Sequence, residues 1–223
     1  MNSDISSKAV ITISKQQLSQ LPLANFSGEI RLIEDEEGVA AALSELRKAD
    51  VIGFDTETRP SFRKGQTNTV SLIQLSTREV CYLFRINHFG LDRRIIDILE
   101  DPDITKIGLS IHDDFHNLNK ICHIEPKGFI ELQNFVKKYK ISDNSLSKIY
   151  AVIFGQRISK GQRLTNWEAE HLTPSQQSYA ALDAMACVMI YDYINSGKFN
   201  PEDSPYLVYP SEDEDAASRE TKK

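Results

Sequence analysis

Cysteine is scarce in this chain, and what there is does not pair. Cys81, Cys122 and Cys187 are odd in number, far apart and form no C-x-x-C motif. That pattern argues against a disulfide framework and a structural zinc site, and leads us to expect a reducing, cytoplasmic setting. Long apolar runs are missing too, so no membrane partner is expected. The polar start Met1-Asn2-Ser3-Asp4 does not read as a secretory signal. No internal repeat is visible. An excess of basic residues is also lacking, since the formal net charge is -6. That total decides little about a nucleic-acid partner. Residues 201–223 carry seven acids against three bases, a net -4. A site built from clustered carboxylates looks acidic until divalent metals offset it.

What is present suits one α/β domain: 223 residues, 40% apolar and 26% charged. Residues 1–28 are expected to form an N-terminal extension packed on the body, residues 29–200 the body, and residues 201–223 an acidic, mostly disordered tail in which Pro205-Tyr206-Leu207-Val208-Tyr209 is apolar enough to dock back onto the body. Short apolar runs predict strands at 9–14, 29–33, 51–58, 69–76, 80–84, 104–109 and 129–132. Helical spacing predicts helices at 36–47, 91–99, 111–122 (with Ile111, Phe115, Leu118 and Ile121 inward) and 133–139. A further helix around Leu146, Ile149, Tyr150 and Ile153 is expected to be capped by Asp143 or Asn144. Thr173-Pro174 supplies a cap and a first-turn proline for a long helix over 175–194. Strand, hairpin, helix, strand is the order of a mixed sheet with helices on its faces.

Three acidic groups stand out. The run Val51-Ile52-Gly53-Phe54 ends in Asp55-Thr56-Glu57, and residues i and i+2 of a strand share a face. Two carboxylates converging there repel unless a cation lies between them or one is protonated. Hard divalent ions such as Mg2+ and Mn2+ favour such oxygen ligands. Asp113 and Asp114 follow the 104–109 strand in the first turns of a helix, where the helix dipole alone also favours acids. Tyr179 and Asp183 are one turn apart on the last helix and share a face. Taken singly, each group also has an ordinary reading: a strand end, a helix N-terminus, a core tyrosine beside an incidental acid.

Together they resemble something more specific. Asp55-x-Glu57, Gly108-x-x-Ile111-x-x-Asp114-x-x-x-Leu118 and Tyr179-x-x-x-Asp183 are similar, in order and spacing, to the three motifs of the DEDDy-type 3'-5' exonucleases. Thr69-Val70-Ser71-Leu72-Ile73-Gln74-Leu75 resembles the second strand of that family. Asn166-Trp167-Glu168, Leu172-Thr173 and Gln176 to Asp183 resemble its approach to the last motif. The resemblance runs from Val51 to Tyr193 and is closest to the ribonuclease D and Werner-type branch. The Arg63-Lys64-Gly65 loop favours the Werner type, and little chain follows the third motif to hold the helical domains appended in ribonuclease D. Spacing from Gly108 favours Asp114 over Asp113.

The resemblance implies a ribonuclease H-like mixed β-sheet flanked by helices, and metal-dependent 3'-5' exonuclease activity that yields nucleoside 5'-monophosphates. It implies two Mg2+ or Mn2+ ions: Asp55, Glu57 and Asp183 around one, Asp55 and Asp114 around the other. Tyr179 is implied to orient the attack, because a phenol is mostly protonated at neutral pH. Nucleic acid is the expected partner, with Arg59, Arg63, Lys64, Arg157, Lys160 and Arg163 as phosphate contacts or as merely solvated loop residues. Trp167 reads as a base-stacking side chain or as a packing anchor. His112, His116 and His123 offer no His-x-x-x-His spacing joined to a third ligand, and read as surface or helix-face histidines. The rival reading is a non-catalytic nucleic-acid-binding or scaffold domain of the same fold, which the loss of any of the five motif residues would have favoured.

Overall fold

A computed structural model describes residues 9–61, 65 and 68–209. Its centre is β3 (Val51–Thr58), whose apolar first half is buried on both faces. The strand pairs antiparallel with β4 (Val70–Ser76) on one side and parallel with β6 (Thr105–Gly108) on the other. Beyond β4 lies β5 (Val80–Phe84), antiparallel to it, and then β2 (Glu29–Ile33), parallel to β5. Beyond β6 lies β7 (Phe129–Glu131), parallel to it. The six-stranded order is therefore β2-β5-β4-β3-β6-β7, a mixed sheet as expected.

Helices cover both faces. On one lie α2 (Glu36–Leu46), α4 (Arg93–Leu99) and α5 (Ile111–Leu118), which bury Val39, Leu43, Ile95, Ile98, Phe115 and Leu118 against Ile52 and Phe54. Phe54 stacks on Phe115 at 5.5 Å and meets the edge of Phe129 at 5.2 Å, which ties α5 to the central strand. On the other face lie α7 (Leu146–Phe154) and α8 (Pro174–Asn195). The helix α8 starts on a capping box: Thr173 accepts from the Gln176 N–H, and Gln176 accepts from the Thr173 N–H. Two short helices, α1 (Lys15–Gln20) and α3 (Ile86–Phe89), and α6 (Leu132–Lys137) complete the set described. No helix among the described residues is long and apolar enough to cross a membrane.

Several expectations need correction. The first strand is only β1 (Val10–Ile11), and Ile121 lies beyond α5 and is 40% exposed rather than inward. Neither Asp143 nor Asn144 caps α7, whose N-cap is Ser145; the Asp143 carboxylate instead accepts from the Ile13 N–H and pairs with Lys148 at 2.6 Å. The apolar stretch of the tail docks on the body, as its composition suggests. Residues 201–203 form a 3-10 turn, and β8 (Leu207–Val208) pairs antiparallel with β1. Residues 210–223 lie outside the described residues, as do Arg63 and Lys64.

Candidate active site

Two close approaches bring the acids together. Gly53 lies directly under α8: a Cβ there would stand 1.9 Å from the Ala184 carbonyl oxygen. The bare backbone lets the helix rest on β3, with Asp183 beside Asp55. Gly108 plays the same part at the end of β6, where a Cβ would sit 2.9 Å from Ile111 and 3.2 Å from the Phe54 carbonyl. The chain then turns sharply through Ser110, which takes the left-handed conformation (φ 63°), into α5. The carboxylate of Glu131 braces that turn by accepting from the Ser110 and Ile111 N–H groups at 3.1 and 2.9 Å. Asp114 emerges from the first turn of α5 and accepts a 2.5 Å hydrogen bond from the Thr56 hydroxyl. Asp113 points into solvent, in keeping with the preference for Asp114.

Asp55, Glu57 and Asp183 each offer an oxygen within 4.8 Å of the others, with Glu57 and Asp183 buried and Asp55 partly so. Burial and mutual repulsion hold their protons on. Asp55 is pushed up to about 7, mainly by burial, and Glu57 to about 10, by burial and then by Asp55, Asp183 and Asp114. Asp114 and Asp183 are also raised well above the usual carboxylate range, first by burial and then by Asp55. Tyr179 hydrogen-bonds Asp183, and its phenol is raised by burial and by Asp183 and Glu57. A set of hard oxygen donors this close fits divalent metal ions.

The basic residues divide. Lys160 and Arg163 line a cleft of about 310 Å3 together with Asp55, Tyr179 and Asp183. Arg163 opposes the upward shift of Glu57, and Lys160 that of Asp183. Arg59 is exposed at the rim and pairs with Glu168 at 3.1 Å. Arg157 is not brought to this cleft. Its Nε donates to the Leu21 carbonyl, and its backbone bonds Pro22 and Ala24, so it tethers the N-terminal segment. The base-stacking expectation for Trp167 is corrected as well: the side chain is 0% exposed, and its ring lies 6.1 Å from that of Tyr179. It is a packing anchor behind the tyrosine. Thr56 and Glu131 were not anticipated from sequence. Thr56 sits inside the first motif, where its spacing gave a hint, but no local pattern marks Glu131.

Comparison with known proteins gives this arrangement its context. The profile of the 3'-5' exonuclease family matches residues 30–197. The chain belongs to that family. It is 32% identical over 187 residues to the mouse bifunctional 3'-5' exonuclease/ATP-dependent helicase WRN, covering 79% of this chain and 13% of that protein. It is 31% identical over 145 residues to the Drosophila melanogaster exonuclease 3'-5' domain-containing protein 2, covering 63% of this chain and 24% of that one. The chain thus spans a quarter or less of these relatives. In structure it is similar to the Aedes aegypti Nibbler EXO domain (TM-score 0.70, 21% identity, 80% of this chain and 96% of that one). It is also similar to Escherichia coli RNase D (TM-score 0.68, 22% identity, 75% of this chain and 44% of that one). The fold is ribonuclease H-like.

Proposed function

We propose that the protein is a divalent-metal-dependent 3'-5' exonuclease that hydrolyses nucleic-acid phosphodiester bonds from the 3' end and releases nucleoside 5'-monophosphates. The observation that carries this reading is the convergence of Asp55, Glu57 and Asp183, from the first and third motifs, with Asp114 linked to the same strand through Thr56. Family membership supplies the reaction class.

Asp55, Glu57 and Asp183 would hold one Mg2+ or Mn2+, and Asp55 with Asp114 a second. Bound there, the two ions supply an activated water and charge stabilisation at the leaving 3'-oxygen. The residues of the chain do the rest. The raised phenol of Tyr179 stays protonated, so it orients the attacking water or the scissile phosphate by donating a hydrogen bond and does not act as a base. Packing of Trp167 behind its ring fixes its direction. Lys160 and Arg163 hold the substrate backbone at the cleft, and Arg59 extends that contact along the rim. Arg63 and Lys64, in the loop after the first motif, are further candidates for such contacts.

The test is a panel of 5'-labelled single-stranded, blunt and 3'-overhang substrates, in DNA and in RNA, with Mg2+ or Mn2+ against EDTA. The expected outcome is a ladder shortening from the 3' end with metal and absent from Asp55→Ala. The preferred substrate assigns the nucleic acid. No shortening on any of them, with metal shown to bind, would return the fold to a binding role.

A further inference from the structure

Under α8, two described side chains hold buried polar groups without a partner, the Trp167 indole N–H and the amide of Gln74. Gln74 of β4 is 0% exposed, and neither its amide nitrogen nor its amide oxygen makes a hydrogen bond. Buried polar side chains are paired in the large majority of cases, and a same-length apolar residue would fill this place without a desolvation cost. The orphaned amide therefore calls for a function.

Register indicates which group it serves. Gln74 stands directly opposite Asp55 on β3 and opposite Leu83 on β5. Directly opposed residues of antiparallel strands leave the same face, with Cβ atoms about 4.5–5.5 Å apart, within reach of a long side chain. Of these two neighbours only Asp55 has a side chain that accepts hydrogen bonds. The shared face is the one under α8: Gly53 is covered by Ala184, and Leu72 packs with Ala180, Ala181 and Ala184. The small residues Ala180, Ala181 and Ala184 let α8 lie close over this face. The two carboxylate oxygens of Asp55 offer acceptor capacity for an amide donor.

We infer that Gln74 is a positioning residue for Asp55: its amide NH2 donates to the Asp55 carboxylate when a divalent cation is bound, and so fixes which oxygen faces the metal. This inference rests on the metal-dependent reading above. Partners one step removed from a metal typically set affinity or activity by about 10–100-fold.

The experiment compares wild type, Gln74→Met and Asp55→Ala by titration with Mn2+ alone, by thermal melting, and by kinetics on a 3'-ended oligonucleotide. Gln74→Met should melt at or above the wild-type temperature, because it removes an unpaired buried amide. It should nevertheless lose about tenfold or more in Mn2+ affinity and in kcat, with KM for the oligonucleotide unchanged. Mn2+ affinity within twofold of wild type would overturn the role of Gln74 alone, whereas wild type that binds no Mn2+ would overturn the metal-dependent reading with it. A second measurement needs no folded variant. In wild type labelled with 15N-glutamine, Mg2+ should shift the side-chain NH2 signals of Gln74 and slow their exchange with solvent. Signals indifferent to Mg2+ would also overturn the inference.

Discussion

At the scale of the residue, the site is defined by carboxylates held where their charge is unwelcome. Asp55 near 7 and Glu57 near 10 bind protons more tightly in the folded, metal-free chain than in the unfolded one, where carboxylates titrate near 4. Stability conferred by these groups is therefore present in full below about pH 4. It is lost as pH rises through 7 for Asp55 and toward 10 for Glu57. Thermal melting of the metal-free protein should fall across pH 5 to 9, and Asp55→Asn should flatten the lower part of that slope. A metal-free melting temperature that rose with pH across that window would contradict the burial of these acids. Mn2+ or Mg2+ should raise the melting temperature, and by more at pH 8 than at pH 6, because binding competes with protons. The residue roles were unevenly legible. The five motif residues could be read from order and spacing, since each lies on a regular element whose period fixes its face. Gln74 and Glu131 could not, because each depends on an element remote in sequence, whereas the packing reading of Trp167 could.

At the scale of the element, the geometry hinges on α8 lying against β3. Gly53→Ala would place a methyl group against the Ala184 carbonyl, which is backbone and cannot swing aside. The substitution should destabilise the fold by about 1–3 kcal/mol. It should also reduce activity more than that loss explains, because Asp183 moves with the helix; denaturant unfolding beside single-turnover kinetics separates the two effects. Thr173→Ala removes one bond of the capping box and should cost about 1 kcal/mol, with nuclease activity retained at low temperature. Elements with a clear period, β3, β4, β5, α2 and α8, were readable from sequence within a few residues. The misses have specific causes. Asp143 does not cap α7 because Ile13 and Lys148 take up its carboxylate, and α5 ends at Leu118, short of the predicted Cys122. The short helix α3 is too brief to show a period.

At the scale of the whole molecule, the sheet order, the helices on both faces and the family relationship agree, and the net charge of -6 is reconciled with a nucleic-acid substrate by the cations the site would hold. Residues 10–11 and 207–208 pair in the β1-β8 ribbon, and Ile11 also bonds the backbone of Lys140 and Ser142. Truncation after residue 203 should therefore lower the melting temperature while leaving the acids in place, which intrinsic fluorescence of the sole tryptophan, Trp167 behind Tyr179, can follow. The carboxylate cluster is proposed to remove nucleotides singly from a 3' end. The most direct measurement is the first product released from an oligonucleotide labelled in its 3'-terminal nucleotide, by wild type and by Asp183→Asn, with Mg2+ or Mn2+ and with EDTA. Wild type with metal should release labelled nucleoside 5'-monophosphate as its first product, and neither Asp183→Asn nor wild type with EDTA should release any. Label appearing first in longer fragments, or released equally by the variant, would contradict the proposed reaction.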